Sequence, residues 1–136
     1  MTGWPPDFLS LPELLEIHRD QITRYGGSIE LRDLGLLEAA QAMPQQSFGG
    51  QFLHPDLAAM AAACLFHLVK NHPFVDGNKR VGAATEVVFL GINQHGLGCS
   101  SDAYYDLTLG VADGSISKEA AIAFFHRHAT SATQEA

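Results

Sequence analysis

The sequence predicts an all-α bundle built around two buried central helices, and three observations carry that reading. Two runs, Leu57 to Lys70 and about Asn78 to Asn93, are apolar on nearly every face, as helices at a domain centre are. The segment that opens at Ser10 repeats its apolar residues at three- and four-residue steps, the period of a helix with one buried face. No stretch alternates apolar and polar residues as a half-buried strand would, and no internal repeat is present.

Each element has a local reason. Ser10-Leu-Pro-Glu13 offers a Ser cap, a Pro in the first turn and a Glu three residues on, which together predict a capping box. The helix that follows directs Leu11, Leu14, Leu15, Ile22 and Tyr25 inward and ends at Gly26-Gly27. A second, shorter helix is predicted from about Leu31 to Met43, weakened by Gly35 and stopped by Pro44. Gln45 to His54 carries two glycines between Phe48 and Phe52 without a helical stripe, the pattern of a loop or short hairpin that presents aromatics. Pro55-Asp56 launches the first central helix, and His95-Gly-Leu-Gly98 ends the second. Ser101-Asp102 and Ser117 then cap two further helices, the first burying Leu107 and Val111, the second Ala121, Ile122 and Phe125.

The chain of 136 residues and 14.7 kDa fits a single domain spanning 1–136. Residues 1–9 are expected to form a flexible arm, and the small, polar stretch 130–136 a mobile tail. A hydrophobic fraction of 46% with 17% charged residues excludes a disordered or collagen-like chain. Eight Lys and Arg against fifteen Asp and Glu give a net charge of −7, and no basic tract exists, so direct nucleic-acid binding is not expected. The apolar runs fall short of a membrane span, and the start lacks the basic-then-apolar pattern of a targeting segment. Cys64 and Cys99 do not form a disulfide framework, which makes a reducing cytoplasm the expected compartment.

The chemistry is concentrated between the central helices, in Asn71-His-Pro-Phe-Val-Asp-Gly-Asn-Lys-Arg80. Where Gly77-Asn78 enters a helix, unpaired amides and the positive end of the helix dipole make an anion site, which Lys79 and Arg80 strengthen for phosphate. Asp76 supplies a hard oxygen ligand of the kind that holds Mg²⁺ against phosphate oxygens. His72 supplies an imidazole, the side chain that most often serves as general base, and suits removal of a hydroxyl proton. These parts describe transfer of a phosphate-containing group to a hydroxyl, with positioning and charge stabilisation as the main sources of rate.

His72-Pro-Phe-Val-Asp-Gly-Asn-Lys-Arg80 resembles the signature of the Fic/Doc superfamily, and its Lys79 resembles the Doc, or death-on-curing, branch. Ile17-His18, Tyr25-Gly-Gly27, Leu31 to Glu38 and the Pro44 to Phe52 loop are arranged as in Doc-like proteins, so the resemblance runs through most of the chain from residue 10. Fic adenylyltransferases carry Gly in place of Lys79 and a second Arg in place of Ala83, and both differences point away from AMP transfer. Pro73 and Gly77, by contrast, are as in Fic enzymes, where the Doc prototype departs. The resemblance implies a compact Fic/Doc-type bundle with the 45–54 loop as a flap, and the toxin of a toxin–antitoxin pair. It further implies a kinase that moves the γ-phosphoryl of ATP, with Mg²⁺, to a Ser or Thr hydroxyl of a translation factor, elongation factor Tu being the family's best-known target. His72 takes the family role of catalytic base and Asp76 that of the metal carboxylate. Gly77, Asn78, Lys79 and Arg80 take the phosphate-binding roles, and Phe74 that of a buried plug. The implied partner is an antitoxin whose disordered C-terminal segment folds against the N-terminal half. Two other readings stand beside this one: a Fic-type AMP or nucleotidyl transferase, and a non-catalytic binding module.

Other residues read as structural. His18 and His67 sit on buried faces as hydrogen-bonded core histidines, and His126 and His128, two apart on a helix, make a poor metal pair. Asn78 has an alternative use as a helix cap, Asp76 as an Asx turn, and Phe48 and Phe52 as inward-packed side chains.

Overall fold

The computed structural model describes residues 4–131. Its first helix, α1 (Leu11–Tyr25), opens with the capping box predicted from sequence: Ser10 Oγ accepts from the Glu13 amide, and Glu13 Oε1 accepts from the Ser10 amide at 2.8 Å. Only Leu14 and His18 of α1 are fully buried, and Leu15 and Tyr25, expected inward, are exposed. Because α1 packs against α4 (Asn78–Ile92) and α2 (Leu34–Ala42) at the edge of the bundle, its buried stripe is narrower than its run of apolar residues.

Helix α2 starts three residues later than predicted, with Asp33 Oδ1 accepting from the Leu36 amide. The reason is tertiary. The Arg32 and Asp33 amides both donate to the Pro73 carbonyl, at 2.7 and 3.0 Å, and Leu31 bridges Phe74, so residues 30–33 are held extended. A 3-10 turn, Met43–Gln45, leads into the hairpin of β1 (Ser47–Phe48) and β2 (Gln51–Phe52). Gly49 and Gly50 both have positive φ there, as a two-residue hairpin turn of the right twist demands.

Helix α3 (Leu57–Asn71), capped by Asp56, buries every residue from Ala58 to Leu65 and packs on α4 as the centre of the core. The two approach closely because α4 offers Gly82, where a Cβ would fall 2.7 Å from Val69 Cγ2 and 3.3 Å from the Leu65 carbonyl oxygen. Helices α5 (Ser101–Asp113) and α6 (Lys118–His128) complete the mostly helical fold; α6 is capped by Ser117 as predicted, whereas α5 is capped by Ser100, whose Oγ accepts from the Ala103 amide, so that the predicted cap Ser101-Asp102 lies in its first turn.

Two features differ from expectation. The first is a pair of three-residue strands, β3 (His95–Leu97) and β4 (Ala129–Ser131), which run antiparallel with Gly96 opposite Thr130. Three residues are too few to show alternation, so the sequence carries no signal for them. They also bring Thr130 and Ser131 of the expected tail into main-chain pairing, and 132–136 lie outside the described residues. The second is the N-terminal segment, packed from residue 4 to residue 9. Leu9 is buried, Phe8 stacks on Phe89, and Asp7 exchanges hydrogen bonds with the Asn93 side chain at 2.8 and 3.0 Å. Residues 1–3 lie outside the described residues.

Candidate active site

Helix α3 ends at His72, which adopts left-handed φ and ψ of 51° and 54° and turns the chain into Pro73. Arg32 closes this end: Nε donates to the His72 carbonyl at 2.7 Å and Nη2 to the Asn71 carbonyl at 3.1 Å, placing a cation where the helix dipole is negative. His72 itself is exposed. The loop beyond it is pinned from below by Phe74, 1% exposed, whose ring lies flat on the His18 imidazole with centroids 3.6 Å apart. His18 Nε2 is 2.8 Å from the Asp76 carbonyl oxygen; a carbonyl only accepts, so this nitrogen carries the proton. Burial holds the His18 pKa below its ordinary value. The core-histidine reading of His18 holds, with the addition that it fixes the loop. His67 differs, because its buried Nε2 has no hydrogen-bond partner and burial pushes its pKa down to about 4.

Asn78 is buried and its side chain turns back: Oδ1 accepts from the Phe74 amide and Nδ2 donates to the Phe74 carbonyl, both at 2.9 Å. It is therefore a staple across the loop and does not cap the helix. The N-cap of α4 is Gly77, at φ 80°, where a Cβ would also come within 3.2 Å of Ile22 Cδ1. Among the described residues, Ser10, Asp33, Asp56, Ser100 and Ser117 each cap a helix with a side-chain oxygen, whereas α4 has no side-chain cap. Its first-turn amides, those of Asn78, Lys79 and Arg80, are left for an external acceptor.

Asp76 is exposed, and its Oδ2 accepts from the Ser28 amide at 2.7 Å. Gly27 makes that approach possible, since a Cβ there would lie 3.1 Å from Asp76 Cβ. The other carboxylate oxygen suits a hard cation. Among the described residues no group of three or more His, Cys, Asp or Glu side chains could hold a metal, so Mg²⁺ here would complete its shell with substrate oxygens and water, as that ion commonly does. Lys79 is exposed. Arg80 is engaged: Nη2 donates to the Gly26 carbonyl at 3.0 Å, Nη1 to the Gln21 carbonyl at 3.4 Å, and the guanidinium lies 5.8 Å from the Tyr25 ring centroid. It ties the end of α1 to α4, with part of its fork of five N–H groups still available to phosphate. In the hairpin the two aromatics separate: Phe48 is 87% exposed, and Phe52 packs against Trp4 and Phe8.

Sequence reasoning missed a second polar centre. Glu86 is fully buried on α4, with Oε1 2.6 Å from the Tyr104 hydroxyl, which is also 3.0 Å from the Ala83 carbonyl oxygen. One hydroxyl proton cannot serve both acceptors; a proton on Glu86 lets both contacts form. Burial pushes the Glu86 pKa up to about 8, and its Oε2 has no hydrogen-bond partner. The signal was a lone carboxylate in the apolar run from Val81 to Leu90. The pKa is raised on folding, so the stabilisation is complete below about 4.5 and is lost as pH rises through about 8. Thermal melts should show the wild type losing stability on the order of a few kcal/mol between pH 5 and 9 relative to Glu86→Gln. Parallel pH profiles for the two would mean that Glu86 is ionised in the fold.

These residues lie within a recognised family. Residues 8–90 match the Fic/DOC family model. The chain is 33% identical over 110 residues to the protein kinase doc of Escherichia phage P1, covering 80% of this chain and 85% of that protein. It is 48% identical over 69 residues to the toxin Doc of Mycolicibacterium smegmatis, a match over 51% of this chain and 53% of that protein, about half of each. The match to the family model takes in α1, the pinned loop and most of α4, and the phage relative extends the likeness over most of the chain: the protein belongs to the Fic/DOC family, in its Doc branch.

Proposed function

We propose that the protein is a Doc-like toxin that transfers the γ-phosphoryl of Mg-ATP to a Ser or Thr hydroxyl of a translation factor, elongation factor Tu by resemblance, and so inhibits translation in the cytoplasm. The observation that carries this reading is the uncapped first turn of α4, presented by a loop whose conformation Asn78, Phe74 and His18 hold fixed. Its amides receive the phosphoryl oxygens and stabilise charge as it develops. His72 takes the acceptor's proton, the hydroxyl oxygen bonds to the γ-phosphorus, and the β,γ-bridging bond breaks to release ADP. Mg²⁺ bound at Asp76 would neutralise phosphate charge during this exchange.

A groove between α1 and α4, lined by Gln21, Tyr25, Ala84, Val87 and Val88, supports an antitoxin partner, because Tyr25 and Val87 there are half exposed or more. A disordered C-terminal segment of that antitoxin, folding as it binds, would cover this apolar surface.

The test incubates the protein with elongation factor Tu, Mg²⁺ and ATP labelled at the α or the γ phosphorus. Transfer of the γ label is expected. Transfer of the α label would assign nucleotidyl transfer instead, and transfer of neither would favour the binding module.

A further inference from the structure

The hairpin of β1 and β2 has strands of two residues each, too little to hold its own position in water. From Ser47 to Phe52 every residue is exposed except Phe52, which is half-buried. Phe52 meets two rings of the N-terminal segment: Trp4 edge-on, with centroids 5.8 Å apart, and Phe8 at 5.7 Å. That segment is anchored elsewhere. Pro6 and Leu9 are buried, Gln41 Nε2 donates to the Leu9 carbonyl at 3.0 Å, and Phe8 stacks on Phe89 of α4. Asn93, the C-cap residue of α4, holds it a second time: its Oδ1 accepts from the Asp7 amide and its Nδ2 donates to the Asp7 carbonyl.

We propose that residues 4–9 are a brace that fixes the hairpin relative to α4, with Trp4 and Phe8 as positioning residues for a protein acceptor. Their grip on Phe52 sets the place of the strand pair, and with it that of Phe48, which stands exposed beside the turn. A large apolar ring held out in water is the kind of group that a protein partner covers, and Leu53 and Trp4, both more than half exposed, widen that surface. Holding it in one place before the partner arrives removes an ordering cost from the encounter. None of Trp4, Phe8, Phe48 and Phe52 lines the groove assigned above to the antitoxin, which leaves the acceptor as the protein this surface serves. The acceptor half of the inference rests on the proposed transfer to a protein hydroxyl; the brace rests on the packing alone.

The test measures amide hydrogen exchange across residues 46–53 in the wild type, Trp4→Ala, Trp4→Phe and Asn93→Ala, with a thermal melt of each to confirm folding. Trp4→Ala removes one of the two rings on Phe52, and Asn93→Ala releases the far end of the brace without altering any ring. Both are expected to speed exchange of the hairpin roughly tenfold, the scale of an aromatic pair with the area it buries, while Trp4→Phe stays near the wild type. Trp4 is the chain's single tryptophan, so its fluorescence anisotropy should also fall in Asn93→Ala. In γ-label transfer to elongation factor Tu, the two alanine variants should raise the KM for the acceptor by a similar factor and leave kcat and the KM for ATP unchanged. Unchanged hairpin exchange in either alanine variant would overturn the brace. Faster exchange with an unchanged acceptor KM would overturn its role in positioning. A wild type that transfers no label removes the kinase reading, and hairpin exchange still decides the brace.

Discussion

Removing the His72 imidazole is expected to lower γ-phosphoryl transfer by about 10²- to 10⁴-fold, the usual contribution of a positioned general base. The loss should appear in the initial rate at saturating ATP, because the uncapped first-turn amides of α4, proposed above to receive the phosphates, stay in place. The choice of substitution matters. His72 sits at φ 51°, a left-handed conformation that alanine adopts at a cost of about 1–2 kcal/mol but that Asn tolerates well. His72→Asn therefore isolates the chemistry, and His72→Ala adds a modest loss of stability. The His72 carbonyl accepts from Arg32 through the main chain, so neither variant removes that contact. If His72→Asn kept more than a tenth of the wild-type rate, another group would be taking the hydroxyl proton.

Much of this was legible before any coordinates, and the reasons differ by residue. Ser10, Asp56 and Ser117 are caps whose effect is local, and each begins its helix as predicted. The central helices follow equally directly, since runs apolar on every face have no other stable place. The functional segment was found because several rare residue types crowd into ten positions. The roles within it were less legible. Nothing in Asp76-Gly-Asn-Lys-Arg80 reveals that the Asn78 amide is spent on Phe74, or that Arg80 reaches back to the Gly26 carbonyl 54 residues earlier. Those partners are set by tertiary packing, as is the contact of Arg32 with the end of α3. The same limit explains the late start of α2: Leu31 has helical neighbours in sequence and is claimed by the loop at Phe74 in space. The strands β3 and β4 left no mark because main-chain pairing over three residues asks nothing of side-chain pattern.

Asn78→Ala is expected to be the most damaging single truncation at the site, acting through stability as well as rate. The Asn78 side chain satisfies both the amide and the carbonyl of Phe74, and Asn78 and Phe74 are both buried, so neither orphaned group can turn to water. An unsatisfied buried polar group costs about 1–3 kcal/mol, and two together predict a loss on the order of 3 kcal/mol and a fall in Tm of roughly 10 °C. The loop should loosen as well, because the stack of Phe74 on His18 and the His18 contact with the Asp76 carbonyl depend on the position of Phe74. Transfer should then fall even at temperatures where the variant is folded. Asn78→Asp sharpens the argument. Its carboxylate can still accept from the Phe74 amide but sets an oxygen against the Phe74 carbonyl, a repulsion that protonation of the new side chain relieves. Its Tm deficit should therefore shrink toward low pH, whereas that of Asn78→Ala should not. An Asn78→Ala protein with wild-type Tm and weakened nucleotide binding would point the other way, to a side chain that contacts phosphate directly and leaves the loop to hold itself.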